Sequence, residues 1–409
     1  MPVSMRVVVV GAGAAGLIAG IFARRAGRPV VVCEKTPDGG RKILISGGGR
    51  CNILPAALEP ERFVSASPAH LVRRVLRSWP LDRQRAFFDR DVGTPLVLEA
   101  GTRKWFPASH RARDVRDGLV ALARREGVEF HFGSDLIDLT AIAGGWRVTT
   151  SRGDIDTERV ILATGGLSVP STGSDGAGLR LAASLGHDVH ETYPALTPLV
   201  ADPPIHAGLS GISLDVRLRA RAHARTVETR GGFLFTHRGY SGPAVLDLSH
   251  VAVRSRLAGG ERASLRVQWG DYDQGRWQQT IANATGAVVN VVASRMPERL
   301  AEALLTSAGI PLERTVSELR RSERLALLEH LTAYPLPWTG DEGYKKAEVT
   351  GGGVALTDVN VSTLESRLSP GLYMCGEMLD AFGPIGGFNF AWAWASGRLA
   401  GLAAGSNAN

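Results

Sequence analysis

The first part of the chain alternates apolar runs with a glycine-rich turn. Met5–Val10 is a short apolar run rich in β-branched residues, which predicts a buried strand. The string GAGAAG at 11–16 follows, and then Leu17–Ala26 has the apolar content of a buried helix. VVVCE at Val30–Glu34 predicts a second buried strand that ends in an acid. The order strand, glycine turn, helix, strand and acid is typical of a dinucleotide-binding unit.

Each of the three glycines in such a turn has a physical role. The first glycine permits the tight turn, the second lets the backbone approach a pyrophosphate, and the third lets the helix pack closely on the strand. The phosphates lie at the helix N-terminus, where free N–H groups and the helix dipole favour negative charge. Glu34 would accept hydrogen bonds from a ribose, and its charge would repel the 2′-phosphate of NADP.

The chain after Glu34 favours FAD over NAD. GGRKILISGGGRCN at 39–52 adds a second glycine turn and two cations, Arg41 and Lys42, near the predicted phosphate site. Gly47 and its neighbours would let a flat ring lie close to the backbone. A later strand that ends in ATGG at 163–166 is also typical of FAD domains.

The C-terminal part carries the fourth feature that predicts FAD. A strand ends at Cys375-Gly376-Glu377, and a glycine turn then opens a long apolar segment at 386–404. We interpret that segment as a buried helix whose N-terminus faces the flavin, and not as a membrane span.

The middle of the chain has a different pattern. Ile212–Ala222 alternates apolar and polar residues, as a half-buried strand does, and the pattern becomes helical further on. We therefore predict an FAD-binding domain formed by 1–189 and 346–409. The inserted domain, 190–345, would be mostly β over 190–275 and mostly helical over 276–345.

Composition restricts the class of protein. Apolar residues make up 44% and charged residues 21% of the 409 residues, which is typical of a globular protein. Three cysteines without a CxxC pair, and the lack of a signal-peptide pattern, favour the cytoplasm. The net charge of +7 suits a nucleic-acid partner, but the arginines are dispersed along the sequence. The sequence thus disfavours a nucleic-acid partner, predicts no membrane association and leaves the oligomeric state open.

Several strings together resemble one family. GRKILISGGGRCN, FTHRGYSGPAVLDLS, EVTGGGV and PGLYMCGEMLD followed by GGFNFAWAWASG are similar to the YhiN/BaiN-like, or aminoacetone-oxidase-like, FAD-dependent oxidoreductases of bacteria. The resemblance implies an α/β fold: a Rossmann-like FAD-binding domain of the glutathione-reductase type, interrupted by an inserted β-barrel-like plus helical domain. Ala381-Phe382 replaces the polar residues usual in the family, so the cover over the flavin edge would be more apolar.

The same resemblance, with the motifs above, gives the candidate residues. For catalysis we expect His237, Tyr240 and Arg50, which has a charge that could hold an anionic substrate or raise the flavin potential. No metal site is predicted. The predicted cofactor-binding residues are Gly11, Gly13, Ala14, Ala15, Gly16, Glu34, Lys35, Gly40, Arg41, Lys42, Ser46, Gly47, Gly49, Arg50, Cys51, Asn52, Leu136, Ala163, Thr164, Gly165, Gly166, Gly376, Glu377, Gly386, Gly387, Phe388 and Asn389.

Three functions remain open at this level. The first is an FAD-dependent oxidoreductase that transfers hydride to or from a small organic substrate, by amine oxidation or by reduction of a conjugated ketone. The second is an RNA-modifying flavoprotein, and the third is a non-catalytic flavin-binding redox protein. The string GSDGAG at 173–178 has the wrong glycine spacing for a second dinucleotide site. Electrons would therefore come from the substrate or from transiently bound NADH or NADPH.

Overall fold

The computed structural model describes residues 4–222 and 225–406. The chain divides into two compact units. The first unit is Met1–Tyr193 with Glu348–Asn409, and the second unit is Pro194–Ala347. The predicted domain boundaries differ from these by a few residues.

The first unit contains a mixed central sheet, which is parallel in its middle strands, with helices and small accessory sheets. Its strands are Ser4–Val10, Val30–Glu34, Leu54–Pro55, Leu96–Glu99, Lys104–Pro107, Val128–Phe132, Leu136–Ile142, Gly145–Thr150, Gly153–Leu162, Val189–Ala195 (whose last two residues belong to the second unit), Val349–Val354, Val359–Asn360, Glu365–Ser366 and Leu372–Met374. Its helices are Ala14–Arg25, Arg41–Ile45, Ala69–Arg77, Leu81–Phe87, Ala112–Arg125, Ala177–Ser184 and Phe388–Gly405.

The order of the parallel strands places the functional turns together. Ser4–Val10 pairs in parallel with Val30–Glu34 on one side and with Gly153–Leu162 on the other. Leu372–Met374 extends the sheet beyond Gly153–Leu162, also in parallel. Because the carboxyl ends of parallel strands meet at one edge, all four strands deliver their following turns to the same edge of the sheet.

The last helix, Phe388–Gly405, packs closely on the first helix, Ala14–Arg25. A Cβ atom added at Gly397, Gly401 or Gly405 would lie 2.3 to 2.4 Å from a backbone oxygen of that helix. Glycine at every fourth position therefore lets the two backbones approach. Among the described residues, no helix is long and apolar enough to cross a membrane.

The second unit combines an antiparallel sheet with helices. Its strands are Leu199–Val200, Ser213–Ala222, Arg225–Phe235, Gly239–Ser241, Ser264–Trp269, Tyr334–Pro335 and Gly340–Asp341. They pair in an open order that begins at Tyr334–Pro335 and ends at Gly340–Asp341. Its helices are Pro243–Leu257, Gln274–Ala282, Val288–Ala293, Glu298–Ser307 and Arg321–Thr332.

The alternating stretch at 212–222 forms the predicted strand, with Val216, Leu218 and Ala220 buried. The helix Pro243–Leu257 lies in the range that the sequence predicts to be mostly β. Proline at the first helical position after Gly242 favours a helix start there, and residues buried at helical spacing follow it. The strand-rich pattern on both sides of this segment conceals it in the sequence.

Candidate functional site

A cavity of about 330 Å³ lies at the carboxyl edge of the central sheet, and all its walls belong to the first unit. The turns after the first, second, ninth and last strands of this unit line it, and they include Gly11, Glu34, Ala163 and Gly376. Its size and its glycine-rich walls suit a nucleotide cofactor.

The first glycine turn leaves an anion-binding helix end open to this cavity. Gly11 has φ +101°, and a Cβ atom there would lie 2.5 Å from the carbonyl oxygen of Ala163. Gly13 precedes the helix, has no side-chain cap, and would meet nothing within 4 Å if it carried a Cβ atom. No acid occupies the first helical turn, and Gly13, Ala14 and Ala15 line the cavity. The open space beside the free N–H groups fits a pyrophosphate.

Glu34 lies beside that turn and is 8% exposed. Its carboxylate accepts hydrogen bonds from the backbone N–H groups of Ala12 at 2.7 Å and Thr36 at 2.8 Å. The hydroxyl of Thr36 donates a third hydrogen bond to the carboxylate, at 2.6 Å. Since a carboxylate offers about four acceptor positions, Glu34 keeps one for a hydroxyl of a ribose. The residue therefore shapes the turn and also fits the adenosine end of FAD.

The cations that line the cavity are already paired with acids. Lys35 Nζ lies 2.7 Å from Asp175 Oδ2, and Arg41 Nε lies 2.8 Å from Asp38 Oδ1. The hydrogen bond from Arg41 holds the pKa of Asp38 below its usual value, against the smaller effect of burial. Phosphate recognition in the cavity thus depends more on backbone N–H groups than on unpaired cations.

Lys42 and Glu377 form the least exposed of these pairs, with Nζ and Oε2 2.6 Å apart and side chains 27% and 17% exposed. Lys42 also donates to Ser168 Oγ at 2.7 Å. Glu377 Oε1 accepts from Ser168 Oγ at 2.5 Å and from the N–H and hydroxyl of Thr350 at 3.0 and 2.9 Å. This network fixes one wall of the cavity by contacts from four separate segments.

The other end of the cavity is apolar and lies at a second helix N-terminus. The helix Phe388–Gly405 begins after Gly387 without a side-chain cap or an acid in its first turn. Apolar side chains surround this end, namely Phe382, Ile385, Phe390 and Trp392. A flat apolar ring therefore fits this end, where the helix dipole favours electron density.

Most of the predicted cofactor-binding residues line this one cavity, but six do not: Gly16, Gly49, Arg50, Cys51, Gly166 and Phe388. A Cβ atom at Gly16 would lie 1.8 Å from the oxygen of Gly11, and one at Gly166 would lie 2.4 Å from Thr350 Oγ1. These glycines let neighbouring segments pack. Phe388 contacts Phe63, with ring centroids 6.1 Å apart.

Arg50 and Cys51 are not part of the cavity lining. The guanidinium of Arg50 bonds Glu99 at 3.0 Å and lies 4.3 Å from the ring centre of Phe106. Cys51 is fully buried, and burial raises the pKa of its thiol to about 12. Cys51 therefore fits the role of a small buried side chain better than that of a redox group.

The two other catalytic candidates lie in the second unit. Tyr240 is fully buried, and its hydroxyl is 2.8 Å from His206 Nδ1. Burial raises the pKa of Tyr240 well above its usual value. This position favours a structural role over the predicted catalytic one, since a substrate would not reach a hydroxyl in the core. His237 is exposed, next to the short strand Gly239–Ser241, and its catalytic role stays a prediction.

Sequence analysis missed part of the lining. The same cavity is also lined by Gly173, Ser174, Asp175 and Ala177, which belong to the GSDGAG string that lacks the glycine spacing of a second dinucleotide site. The sequence feature that indicates these residues is a glycine turn that opens a helix shortly after the ATGG strand.

Asn389, in contrast, lines the cavity as predicted, but its amide bonds the backbone N–H and C=O of Gly383, both at 2.9 Å.

Fold and cavity together define a flavoprotein with a Rossmann-type FAD-binding domain. A family model described as "HI0933-like protein Rossmann domain" matches residues 5–403. The chain therefore belongs to the HI0933-like family.

Two relatives match nearly the whole chain. The chain is 33% identical over 392 residues to the ribosomal RNA dihydrouridine synthase of Escherichia coli K12, with 95% of each chain covered. It is 30% identical over 409 residues to the 3-dehydro-bile acid delta(4,6)-reductase of Clostridium scindens, with 98% of each covered.

Solved structures share the fold. A flavocytochrome c3 fumarate reductase superposes with a TM-score of 0.51 at 15% identity, covering 99% of this chain and 78% of that one. The 3-ketosteroid-delta4-(5alpha)-dehydrogenase of Rhodococcus jostii RHA1 gives 0.51 at 16% identity, covering 99% and 98%. The predicted family, fold class and FAD dependence are confirmed, and the protein is an FAD-dependent oxidoreductase.

Proposed function

We propose that the protein reduces the C5–C6 double bond of uridine in ribosomal RNA. The observation that carries the proposal is the match of 33% identity along 95% of both chains to a protein named as a ribosomal RNA dihydrouridine synthase. A relative with the same name from Haemophilus influenzae is 28% identical and covers 95% of this chain.

The two activities named among the relatives share one chemistry. Dihydrouridine forms when the double bond next to the C4 carbonyl of uracil is saturated. A delta(4,6)-reductase of a 3-oxo steroid acts on double bonds conjugated with a ketone. In both cases hydride adds to an alkene carbon that a conjugated carbonyl makes electron-poor, and a proton adds to the other carbon.

The residues of the cavity support this division of labour. FAD, when bound, would supply the hydride, and a nicotinamide reductant would supply its two electrons. Gly13 and the first helix would hold the pyrophosphate, and Glu34 would hold the ribose. Phe382, Phe390 and Trp392 would exclude water at the apolar end, where a planar conjugated ring can lie against them.

A small conjugated ketone is the second candidate substrate, because the 30% identical relative is named for reduction of one. This agrees with the reduction predicted from the sequence. Amine oxidation, the other predicted reaction, stays a prediction without support from either named activity.

The test uses the FAD-loaded protein under nitrogen with NADH or NADPH and ribosomal RNA transcribed in vitro, which lacks all modifications. Nucleosides from the digested RNA are separated and weighed by mass spectrometry. We expect a uridine product heavier by two hydrogen atoms, which is absent when the nicotinamide is omitted.

Two other substrates complete the design, a 3-oxo-4,6-diene steroid and aminoacetone. Reduction of the steroid without any change in the RNA would replace the proposal with the second candidate. Bleaching of the flavin by aminoacetone, together with inert RNA and steroid, would refute a reductase function altogether.

A further inference from the structure

The strand register of the second unit gathers arginines that are dispersed in the sequence. Ser213–Ala222 alternates buried Val216, Leu218 and Ala220 with outward residues. The strands on either side, Arg225–Phe235 and Ser264–Trp269, pair with it in antiparallel register. The outward positions of the three strands therefore form one face.

This face is strongly basic. Across it, Arg217 pairs with Arg230 and Gln268, Arg219 with Glu228 and Arg266, and Arg221 with Thr226 and Ser264. We call these five arginines, Arg217, Arg219, Arg221, Arg230 and Arg266, the basic face. A surface depression lies within it, lined by Arg219, Arg221, Thr226, Glu228, Ser264 and Arg266.

The few acids nearby do not neutralise the basic face. Glu228 bonds Arg219 at 2.7 Å and approaches Arg217 at 3.3 Å, and Glu329 bonds Arg266 at 3.0 Å. Asp215 lies one row beyond, opposite Gly232. Among the described residues, Arg221 and Arg230 have no ion-pair partner, so the five arginines exceed the two acids that contact them.

Opposed arginines on this face repel each other, and the acids that contact them offset only part of that repulsion. Arg217 lies directly opposite Arg230, and Arg219 lies directly opposite Arg266. Like charges at opposed positions of an antiparallel pair destabilise the sheet. A polyanion that binds the face would remove this repulsion, whereas solvent only screens it.

We infer that the basic face binds the sugar–phosphate backbone of the RNA substrate. The inference rests on the proposed function, which supplies RNA as the partner. Arginine forks bind phosphate in a bidentate manner, and alternate residues of a strand place them about 7 Å apart.

The outward positions of the three strands in this patch include no aromatic side chain, so the face offers no surface on which bases could stack. It would therefore add affinity and position the RNA without selecting a sequence.

The test measures binding of a fluorescent, unmodified ribosomal RNA hairpin by anisotropy, with the full-length FAD-loaded protein. The variant is Arg219→Gln/Arg221→Gln/Arg266→Gln. Its matched control removes the same charge from exposed arginines elsewhere, as Arg113→Gln/Arg321→Gln/Arg324→Gln. Flavin absorbance and the thermal midpoint establish that each variant is folded.

We expect the variant to bind at least about tenfold more weakly than the control at about 100 mM salt. The plot of log affinity against log salt concentration should be less steep for the variant, by about two in the magnitude of its negative slope, because fewer counterions are released. Equal RNA affinities of variant and control would overturn the inference.

A parallel assay of dihydrouridine formation separates the two ideas. If dihydrouridine forms but the variant binds RNA as the control does, the inference fails and the proposed function stands. If the variant loses RNA binding but no protein forms dihydrouridine, the basic face stands and the proposed function fails.

Discussion

Replacement of Gly13 by alanine should weaken FAD binding without weakening the fold. Gly13 has φ −73° and ψ −171°, which alanine adopts freely, and a Cβ atom there would meet nothing within 4 Å. The smaller entropy of the unfolded chain favours alanine by about 0.4 to 1 kcal/mol. Alanine is a poorer N-cap than glycine by a similar amount. The free energy of unfolding should thus change by less than about 0.5 kcal/mol.

The space beside Gly13 is where the pyrophosphate would approach the helix N-terminus. A methyl group there pushes the phosphate away from the free N–H groups. A hydrogen bond to a charged group contributes about 1.5 to 3 kcal/mol. Loss of one such bond lowers the FAD affinity roughly tenfold to 150-fold.

The assay is titration of the FAD-free protein with FAD, followed by the quenching of flavin fluorescence, beside urea unfolding of the same samples. Gly101→Ala is the matched control, because Gly101 also has open space around its Cβ position, has no positive φ and lies outside the cavity. Gly11→Ala should fail in both assays, since its Cβ atom would lie 2.5 Å from a carbonyl oxygen at φ +101°. An unchanged FAD affinity in Gly13→Ala would refute the assignment of the pyrophosphate to this turn.

Two further predictions concern groups at the cavity wall and in the core. A double-mutant cycle of Lys42→Met and Glu377→Gln, measured by urea unfolding, should give a coupling energy of about 1 to 3 kcal/mol, because the pair is mostly buried. A coupling energy under about 0.5 kcal/mol would mean that the network does not act as a unit. The three thiols should be inert to a disulfide reagent at pH 8 in the native protein and should all react in guanidinium. The reason is that burial raises the pKa of each thiol, to about 11 for Cys33 and about 12 for Cys51 and Cys375. Rapid reaction of one thiol per native protein would contradict this prediction.

The parts of the fold that the sequence predicts are those that local patterns encode. The first strand, glycine turn, helix and acid lie within 34 residues, and each has a periodicity or a residue type that burial or a turn requires. The alternation at 212–222 likewise specifies a strand with one buried face. Such features need no knowledge of distant contacts.

The contacts that the sequence does not predict join distant segments. Lys42 and Glu377 are 335 positions apart, and nothing local to either indicates the pair. Arg50 lies in a glycine-rich loop for which the sequence predicts flavin contact, and nothing near it in the chain indicates its ion pair with Glu99. Tyr240 occurs in a string of the resembling family, yet its ring belongs to an aromatic core with Phe233 and Phe235. Tertiary packing decides these roles.

Charge illustrates why register matters as much as composition. Arg41 and Lys42, adjacent to a predicted phosphate site, are paired with Asp38 and Glu377, so the cavity offers an anion mainly backbone dipoles. The five arginines of the basic face have no shared motif, yet strand pairing places them side by side with two acids in contact. Dispersal along the chain therefore does not by itself argue against a nucleic-acid partner, because an antiparallel sheet brings together residues that are far apart in sequence. The cations of the cavity and those of the face are indistinguishable in the sequence, and only their partners separate a cofactor pocket from a surface suited to a polyanion.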